Sequence, residues 1–383
     1  MSMKFSAVLI LCFTIIVMLS GCSQATDTAS SKLENPETAS PQAPNTANSE
    51  VPNTAATSSE AAFSWKVASP EEQGVDEQLL GKVEEQLITN HTKIKSLLIV
   101  KNSHIVYEWY RNEAYRDNPT PVFSVTKSVM SALTGIAIDQ GKLTGVEQKL
   151  SELLPEEMSR QSSSEKKEIT IENALTMTGG LNSTDSNINA FFMSENYINH
   201  VLDQPMVDPS RSLFIYDTGL THVLSGAITA AVEMPVKEYA DENLFGPMAI
   251  TNYRWLQDPQ GIYSGGTNLY LTPRDMAKFG ILYLHEGEWD NKQLIPKDWV
   301  KVSTEEQIKL EDNSGYGYLF WTTTMKDPQG KEIFTYEANG YGGQHVRVIP
   351  TLDSVIVVTS DETSQEQSNA NELVENFIIP ALG

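Results

Sequence analysis

Two strand-turn-strand patterns stand far apart in this chain, with a long stretch of helical patterning between them. Ser96-Leu97-Leu98-Ile99-Val100 and Ile105-Val106-Tyr107-Glu108-Trp109-Tyr110 flank Lys101-Asn102-Ser103-His104, a tight-turn composition. Gln344 to Pro350 and Ser354 to Thr359 flank Thr351-Leu352-Asp353, and a helix is expected near Asn369 to Ile379. Between the two hairpins, runs such as Pro273 to His285 carry a helical period. Each hairpin has an apolar side to bury, and the economical solution is to place both in one sheet. The expected class is therefore α/β (α+β): one antiparallel sheet closed by the two chain ends, flanked by helices, with a large, mostly helical inserted lobe. About 320 residues follow Phe63, more than one compact core usually spans, so two lobes are expected. The sheet lobe takes in about 63–150 and 292–383, and the helical lobe about 151–291.

The first residues do not belong to that body. Met1 to Lys4 carry one positive charge, and Phe5 to Leu19 is apolar apart from Ser6 and Thr14, too short a core to span a bilayer comfortably. Residues 1–21 read as a signal peptide. From Ser23 to Ala62 there is no aromatic residue, and Ala, Ser, Thr, Asn, Pro and Glu dominate. Such a stretch cannot bury enough apolar surface to offset its ordering entropy, so 22–62 is expected to be a disordered tether, reaching on the order of 35 Å.

Composition removes several chemistries. Cys12 and Cys22 are the only cysteines, so a mature chain beginning at Cys22 keeps one thiol and can form no internal disulfide. Cysteine nucleophiles within the body and Cys-ligated zinc go with it. The histidines His91, His104, His200, His222, His285 and His345 show no i, i+4 pair and no HExxH, so no metal site and no cofactor is expected. Net charge is −23, and −24 once Lys4 leaves with the signal peptide, which argues against nucleic acid as a partner. Solubility alone accounts for such acidity.

Ser124-Val125-Thr126-Lys127 is an S-x-x-K tetrad, and Ser163 with Lys166 and Ser164 with Lys167 match the same bare pattern. Context separates them. The latter two lie in the charged run Ser162 to Glu168, which reads as a solvated loop, whereas Ser124 opens Val125, Val129, Met130, Leu133, Ile136 and Ile138, an apolar helical pattern stopped by Gly141. On a helix, residues three apart share a face, so the Lys127 amine can reach the Ser124 hydroxyl. Burial disfavours an ammonium, and a desolvated lysine can take a serine proton. A serine at a helix N-terminus also aims its backbone N–H at a developing oxyanion. Alternatively, Ser124 is a plain N-cap and Lys127 a surface residue.

The run from Pro121 to Ser128, continuing through Leu133 to Leu143, resembles the nucleophile helix of class C β-lactamase-related serine hydrolases. Ile169 to Leu181 resembles the family segment "LLTMTSGL", with Gly179 where Ser is usual, and Gly265 to Ala277 resembles its "LYLTPRDMA" segment. The likeness covers nearly all of residues 63–383 and looks closest to the branch with 6-aminohexanoate-oligomer hydrolases and esterases. It implies a serine β-lactamase/transpeptidase-like fold with Ser124 as acylated nucleophile and Lys127 as its base. In the place of the family's Tyr-x-Asn stands Tyr216-Asp217-Thr218, so Tyr216 carries over as a proton relay while Thr218 replaces the Asn. A buried Tyr216 that only hydrogen-bonds is the alternative. The third motif, Lys-Thr-Gly or His-x-Gly on an edge strand, is matched by Asn339-Gly340-Tyr341-Gly342-Gly343-Gln344. By that pattern Tyr341, Gly342 and Gly343 line the substrate, and the Gln344 backbone N–H is the second oxyanion donor. Leu19-Ser20-Gly21-Cys22 resembles a bacterial lipobox, which implies lipidation of Cys22 and a cell-envelope location outside the cytoplasm; an uncleaved N-terminal anchor is the other reading.

Three functions remain: an ester or small-amide hydrolase, a non-catalytic penicillin-binding-like sensor, and a β-lactamase or D-Ala peptidase acting on peptide or lactam. An α/β-hydrolase is excluded by the lack of a G-x-S-x-G elbow. The lipobox pattern predicts that the wild type incorporates radiolabelled palmitate and sediments with membranes, and that Cys22→Ala does neither; unchanged labelling of the variant would remove the lipoprotein reading.

Overall fold

The computed structural model describes residues 63–310, 313–326, 329–362 and 368–383; the leader, Cys22 and the rest of 22–62 lie outside the described residues. Among the described residues, hydrogen bonds join eight strands into one antiparallel sheet. They are β1 (Ile94–Lys101), β2 (His104–Tyr110), β3 (Ile308–Lys309), β4 (Ser314–Tyr316), β5 (Trp321–Lys326), β6 (Glu332–Gly340), β7 (Gln344–Ile349) and β8 (Ser354–Ser360). Their order in space is β2-β1-β8-β7-β6-β5-β4-β3, so the two hairpins do meet, and β1 lies against β8 with Leu97 opposite Val358 and Ile99 opposite Ile356. In the first hairpin the pairing continues to Lys101 and His104, leaving a two-residue turn in which Asn102 and Ser103 take φ of 49° and 63°. That is the turn whose twist suits adjoining strands.

The long apolar runs of β1 and β8 are explained by what covers them. Side chains alternate along a strand, so Leu97 and Ile99 leave one face while Leu98 and Val100 leave the other. The first set shares a core with Leu80, Val83 and Leu87 of α1 (Glu77–Thr89) and with Leu373 and Ile378 of the C-terminal helical run. The second set belongs to the core that holds Val129 and Leu133 of α2 (Val125–Asp139). Both faces are covered, and no polar alternation survives in the sequence. The C-terminal run reaches Leu382, beyond the expected Ile379, with a wider turn over Val374–Ile378.

α2 is buried at every position from Val125 to Ala137. One side meets the sheet; another meets α3 (Thr218–Val232), the central helix of the insert. α2 is thus the wall shared by sheet and insert, which is why it carries hydrophobic residues all round rather than on one stripe. Two sequence expectations need correction here. The Ser162 to Glu168 run is exposed over most of its length but is not all loop: Ser164–Lys167 forms a short helix, and the Lys166 amine is buried, donating to Leu202 O at 2.6 Å. The expected lobe limit at 291 placed Pro273 to His285 with the insert, yet α4 (Pro273–Leu284) packs on the sheet against β7 and β8. Gly280 is what lets it do so, since a Cβ there would lie 2.4 Å from Val355 Cγ1 and 2.9 Å from Val346 Cγ1.

That contact predicts that Gly280→Val lowers the thermal midpoint by several degrees, the overpacking cost of about 1–3 kcal/mol outweighing the gain in helix propensity. Adding Val355→Ala should restore part of the loss, and a double variant no better than Gly280→Val alone would show that the contact is not limiting.

Candidate active site

The chain enters α2 through a tight corner. Val122 donates to Leu269 O at 2.9 Å, Phe123 takes a φ of +48°, and the helix starts at the next residue. A bulky residue at positive φ is strained, and strain of this kind concentrates where a side chain must be presented in one direction. Here the side chain presented is Ser124. Its hydroxyl caps no backbone N–H of the helix and instead meets the Lys127 amine at 2.9 Å.

Lys127 is 1% exposed, so its amine cannot rely on water. It finds three oxygens: Ser124 Oγ at 2.9 Å, Thr218 Oγ1 at 3.1 Å and Gly266 O at 2.8 Å. These come from three distant segments. Gly266 has to be glycine, because a Cβ would lie 2.4 Å from Thr218 O. Behind this segment His222 Nε2 pairs with Asp258 Oδ2 at 2.9 Å, and Gly265 N–H faces His222 Nδ1 at 3.4 Å. Burial works against a charge on Asp258, but His222 and the Ile262 and Gln260 N–H groups hold its carboxyl below the usual range.

Tyr216 approaches Lys127 through its ring, whose centroid is 4.8 Å from Nζ. The ring is stacked on Trp321 at 5.8 Å and meets the edge of Tyr316 at 6.5 Å, which fixes the ring face beside the lysine. Thr218, which stands where the family pattern has an Asn, accepts from the amine. Gly340 lies against Ser124 from the other side: a Cβ on it would be 2.2 Å from Val122 O and 3.2 Å from Ser124 N. The expected edge strand is corrected by the sheet, because β6 is an interior strand and the motif lies at its end, in the turn to β7. In that turn Gly342 and Gly343 take φ of 82° and 81°, a region closed to most side chains. The buried Gln344 side chain ties the turn down, donating to Gly342 O at 3.1 Å and Ser360 O at 2.7 Å. Tyr341 projects outward, half exposed, with its ring 5.7 Å from that of Phe123. So Ser124, Lys127, Tyr216, Thr218 and the 340–344 turn converge around the start of α2.

Asp185 was not anticipated. It sits in a short turn, Thr184–Asn187, and its carboxylate accepts the Thr218 N–H at 2.6 Å and the Thr218 hydroxyl at 2.8 Å. A lone Asp among Ser, Thr and Asn gives no sequence signal. Size does not mark the site either, for a cleft of about 1040 Å³ lined by Phe63, Trp65, Asp241, His285 and Trp289 includes neither Ser124 nor Lys127.

The beta-lactamase family model matches residues 83–376, and the chain belongs to that family. Its fold is that of serine hydrolases and is shared with several solved structures. One from Bacillus anthracis, described as a 6-aminohexanoate-dimer hydrolase, is 20% identical, with 84% of this chain and 87% of that one covered and a TM-score of 0.68. EstCE1, a hydrolase with promiscuous acyltransferase activity, gives 13% identity, coverage of 82% and 99%, and a TM-score of 0.65. A D-stereospecific amidohydrolase from Streptomyces gives 14%, coverage of 77% and 98%, and 0.58. No curated protein matches the sequence.

The strands that carry the 340–344 turn are braced from behind by buried polar groups. Glu337 Oε2 accepts from Arg347 Nε at 2.9 Å and lies 3.2 Å from His345 Nδ1, while Asn339 Nδ2 donates to Glu337 Oε1 at 3.0 Å. Burial alone would raise the Glu337 carboxyl, yet Arg347 and His345 outweigh it and hold it well below the usual carboxylate range. A carboxyl depressed on folding contributes stability above its unfolded pKa and loses it as pH falls through the folded value. Glu337→Gln, which leaves Arg347 without its counter-charge, should therefore cost about 3 kcal/mol in urea unfolding at pH 7. The gap to wild type should begin to narrow below about pH 4.3, where the unfolded carboxyl takes up its proton; a gap that does not change with pH would mean the charge contributes nothing.

Proposed function

We propose that this chain is an exported, lipid-anchored serine hydrolase that cleaves an ester or small amide through an acyl-enzyme on Ser124. The observation that carries the reading is the buried Lys127 amine at 2.9 Å from Ser124 Oγ. In the acylation step Lys127 takes the hydroxyl proton as Oγ attacks the carbonyl carbon, and negative charge moves to the carbonyl oxygen. The N–H of Ser124 and that of Gln344 are the donors for that oxyanion. Tyr216, held beside Lys127, passes a proton to the departing alcohol or amine, and the C–O or C–N bond breaks. Water then repeats the sequence on the acyl-enzyme and releases the acid. Export and anchoring rest on the leader and on Leu19-Ser20-Gly21-Cys22.

A β-lactamase or D-Ala peptidase uses the same nucleophile, but grips a substrate carboxylate with a fixed cation. Tyr341 offers none where a Lys or His is expected. Hence p-nitrophenyl esters should turn over measurably while nitrocefin is hydrolysed slowly or not at all; brisk nitrocefin hydrolysis without ester turnover would reverse the assignment. Ser124→Ala and Lys127→Ala should each remove most activity in a folded protein, and the pair together should cost little more than either, because nucleophile and base act on one step. Tyr216→Phe should be milder. A fluorophosphonate probe read by intact mass should give one adduct on the wild type and none on Ser124→Ala; normal labelling of that variant would transfer the role to another serine.

A further inference from the structure

We propose that Asp185 is a positioning residue for the reaction: by committing the Thr218 hydroxyl hydrogen, it makes Thr218 an acceptor and leaves the free valence of Lys127 pointing at Ser124. The inference rests on the assignment of Ser124 and Lys127 as nucleophile and base.

The argument is a count of hydrogens around one nitrogen. Of the three oxygens about Lys127 Nζ, Gly266 O is a carbonyl and can only accept. The hydroxyls of Ser124 and Thr218 can each donate or accept. A neutral amine has two hydrogens and one lone pair, and the lone pair must face Ser124 if that residue is to give up its proton. A Thr218 hydroxyl free to turn could place its own hydrogen on that lone pair and block the transfer.

Asp185 removes the freedom. As a carboxylate it donates nothing, and its two oxygens accept both hydrogens that Thr218 has to give: the backbone N–H at 2.6 Å and the hydroxyl at 2.8 Å. Thr218 Oγ1 is left with lone pairs toward Lys127, 3.1 Å away. The amine then spends one hydrogen on Gly266 O and one on Thr218 Oγ1, and its lone pair has Ser124 Oγ as its remaining partner. After transfer the ammonium donates to all three oxygens, so no neighbour has to turn between the two states.

Asp185 is itself held in place. Thr184 N–H donates to Asp217 Oδ1 at 3.2 Å, the Thr184 hydroxyl donates to the same oxygen, and Asp217 caps α3 through Gly219 N–H at 2.9 Å. Ser183 Oγ donates to Tyr216 O at 2.6 Å. The turn that carries Asp185 is thus stitched residue by residue to Tyr216, Asp217 and Thr218. An asparagine at position 218 would need no such partner, because its amide keeps acceptor and donor on separate atoms. Asp185 and Thr218 together supply what one amide oxygen could.

The test uses the full mature chain, with fluorophosphonate labelling rates and kcat and KM on a p-nitrophenyl ester. Asp185→Asn puts an NH2 group where only acceptors stood. It should lower kcat and the labelling rate by roughly a hundredfold, the low end of what a general base contributes, with KM little changed. Thr218→Asn should remain active, and Asp185→Asn/Thr218→Asn should return to within about threefold of Thr218→Asn, a rescue that a merely structural role for Asp185 does not allow. Thr218→Val keeps Asp185 and the shape of the side chain but removes the oxygen, so it should be slow, and it decides the matter should Asp185→Asn fail to fold. Wild-type rates in Asp185→Asn or Thr218→Val, an inactive Thr218→Asn, or a double variant as slow as Asp185→Asn would each overturn the proposal. Ser124→Ala runs alongside: if it still labels, the nucleophile assignment has failed, whereas a silent Ser124→Ala with a fast Asp185→Asn sinks this inference alone.

Discussion

An amine buried among three oxygens sets the terms for everything near it. Lys127 has almost no contact with solvent, and an unsatisfied buried donor costs on the order of 1–3 kcal/mol, more when charged. The acceptors must therefore arrive from elsewhere in the chain, and they do so from residues 124, 218 and 266. That convergence is possible because α2 is walled by the sheet on one side and by α3 on another. The demand for backbone oxygen so close to α3 explains why Gly266 has no side chain, and the corner at Phe123 explains how the serine turns toward the amine.

How much of this could be read beforehand followed from how local each signal is. The hairpins were legible because β1, β2, β7 and β8 are rich in aliphatic, β-branched and aromatic residues with turn residues between them. The strands β3 and β4 were not, being two and three residues long, and β5 was hidden by the Thr322-Thr323-Thr324 run, which gives no period. Ser124, Lys127 and Tyr216 announced themselves through spacing and family pattern, and geometry brings them together. Asp185 could not do the same, since its meaning depends on Thr218 lying within hydrogen-bond reach across 33 residues. Lys166 misled for the opposite reason: a charged run suggested solvent, while the amine is buried against Leu202 O.

The family pattern and this chain part company at the mouth of the site. Gly340 brings the strand end against Ser124, and Gln344 anchors the turn by its side chain to Ser360, so the backbone there is held independently of what residue 341 is. Tyr341 is free to face outward with Phe123 and contribute surface rather than charge. The chemistry-bearing part of the site and its outer rim are thus supported separately, and the rim can change while the amine, hydroxyl and strand end stay where they are.

The pairing of β1 with β8 has a consequence for how the molecule comes into being. Residues such as Leu97 and Val358 lie side by side although some 260 positions separate them, so the loop that closes the sheet is nearly the whole body. Closing so long a loop exacts its entropy before the pairing of β1 with β8 returns any of it, which favours slow, late formation of the sheet. Until β8 has left the ribosome, β1 has one open edge and the core beneath it is unfilled. The sheet of this design therefore cannot be completed until synthesis has passed Ser360, close to the end of the chain.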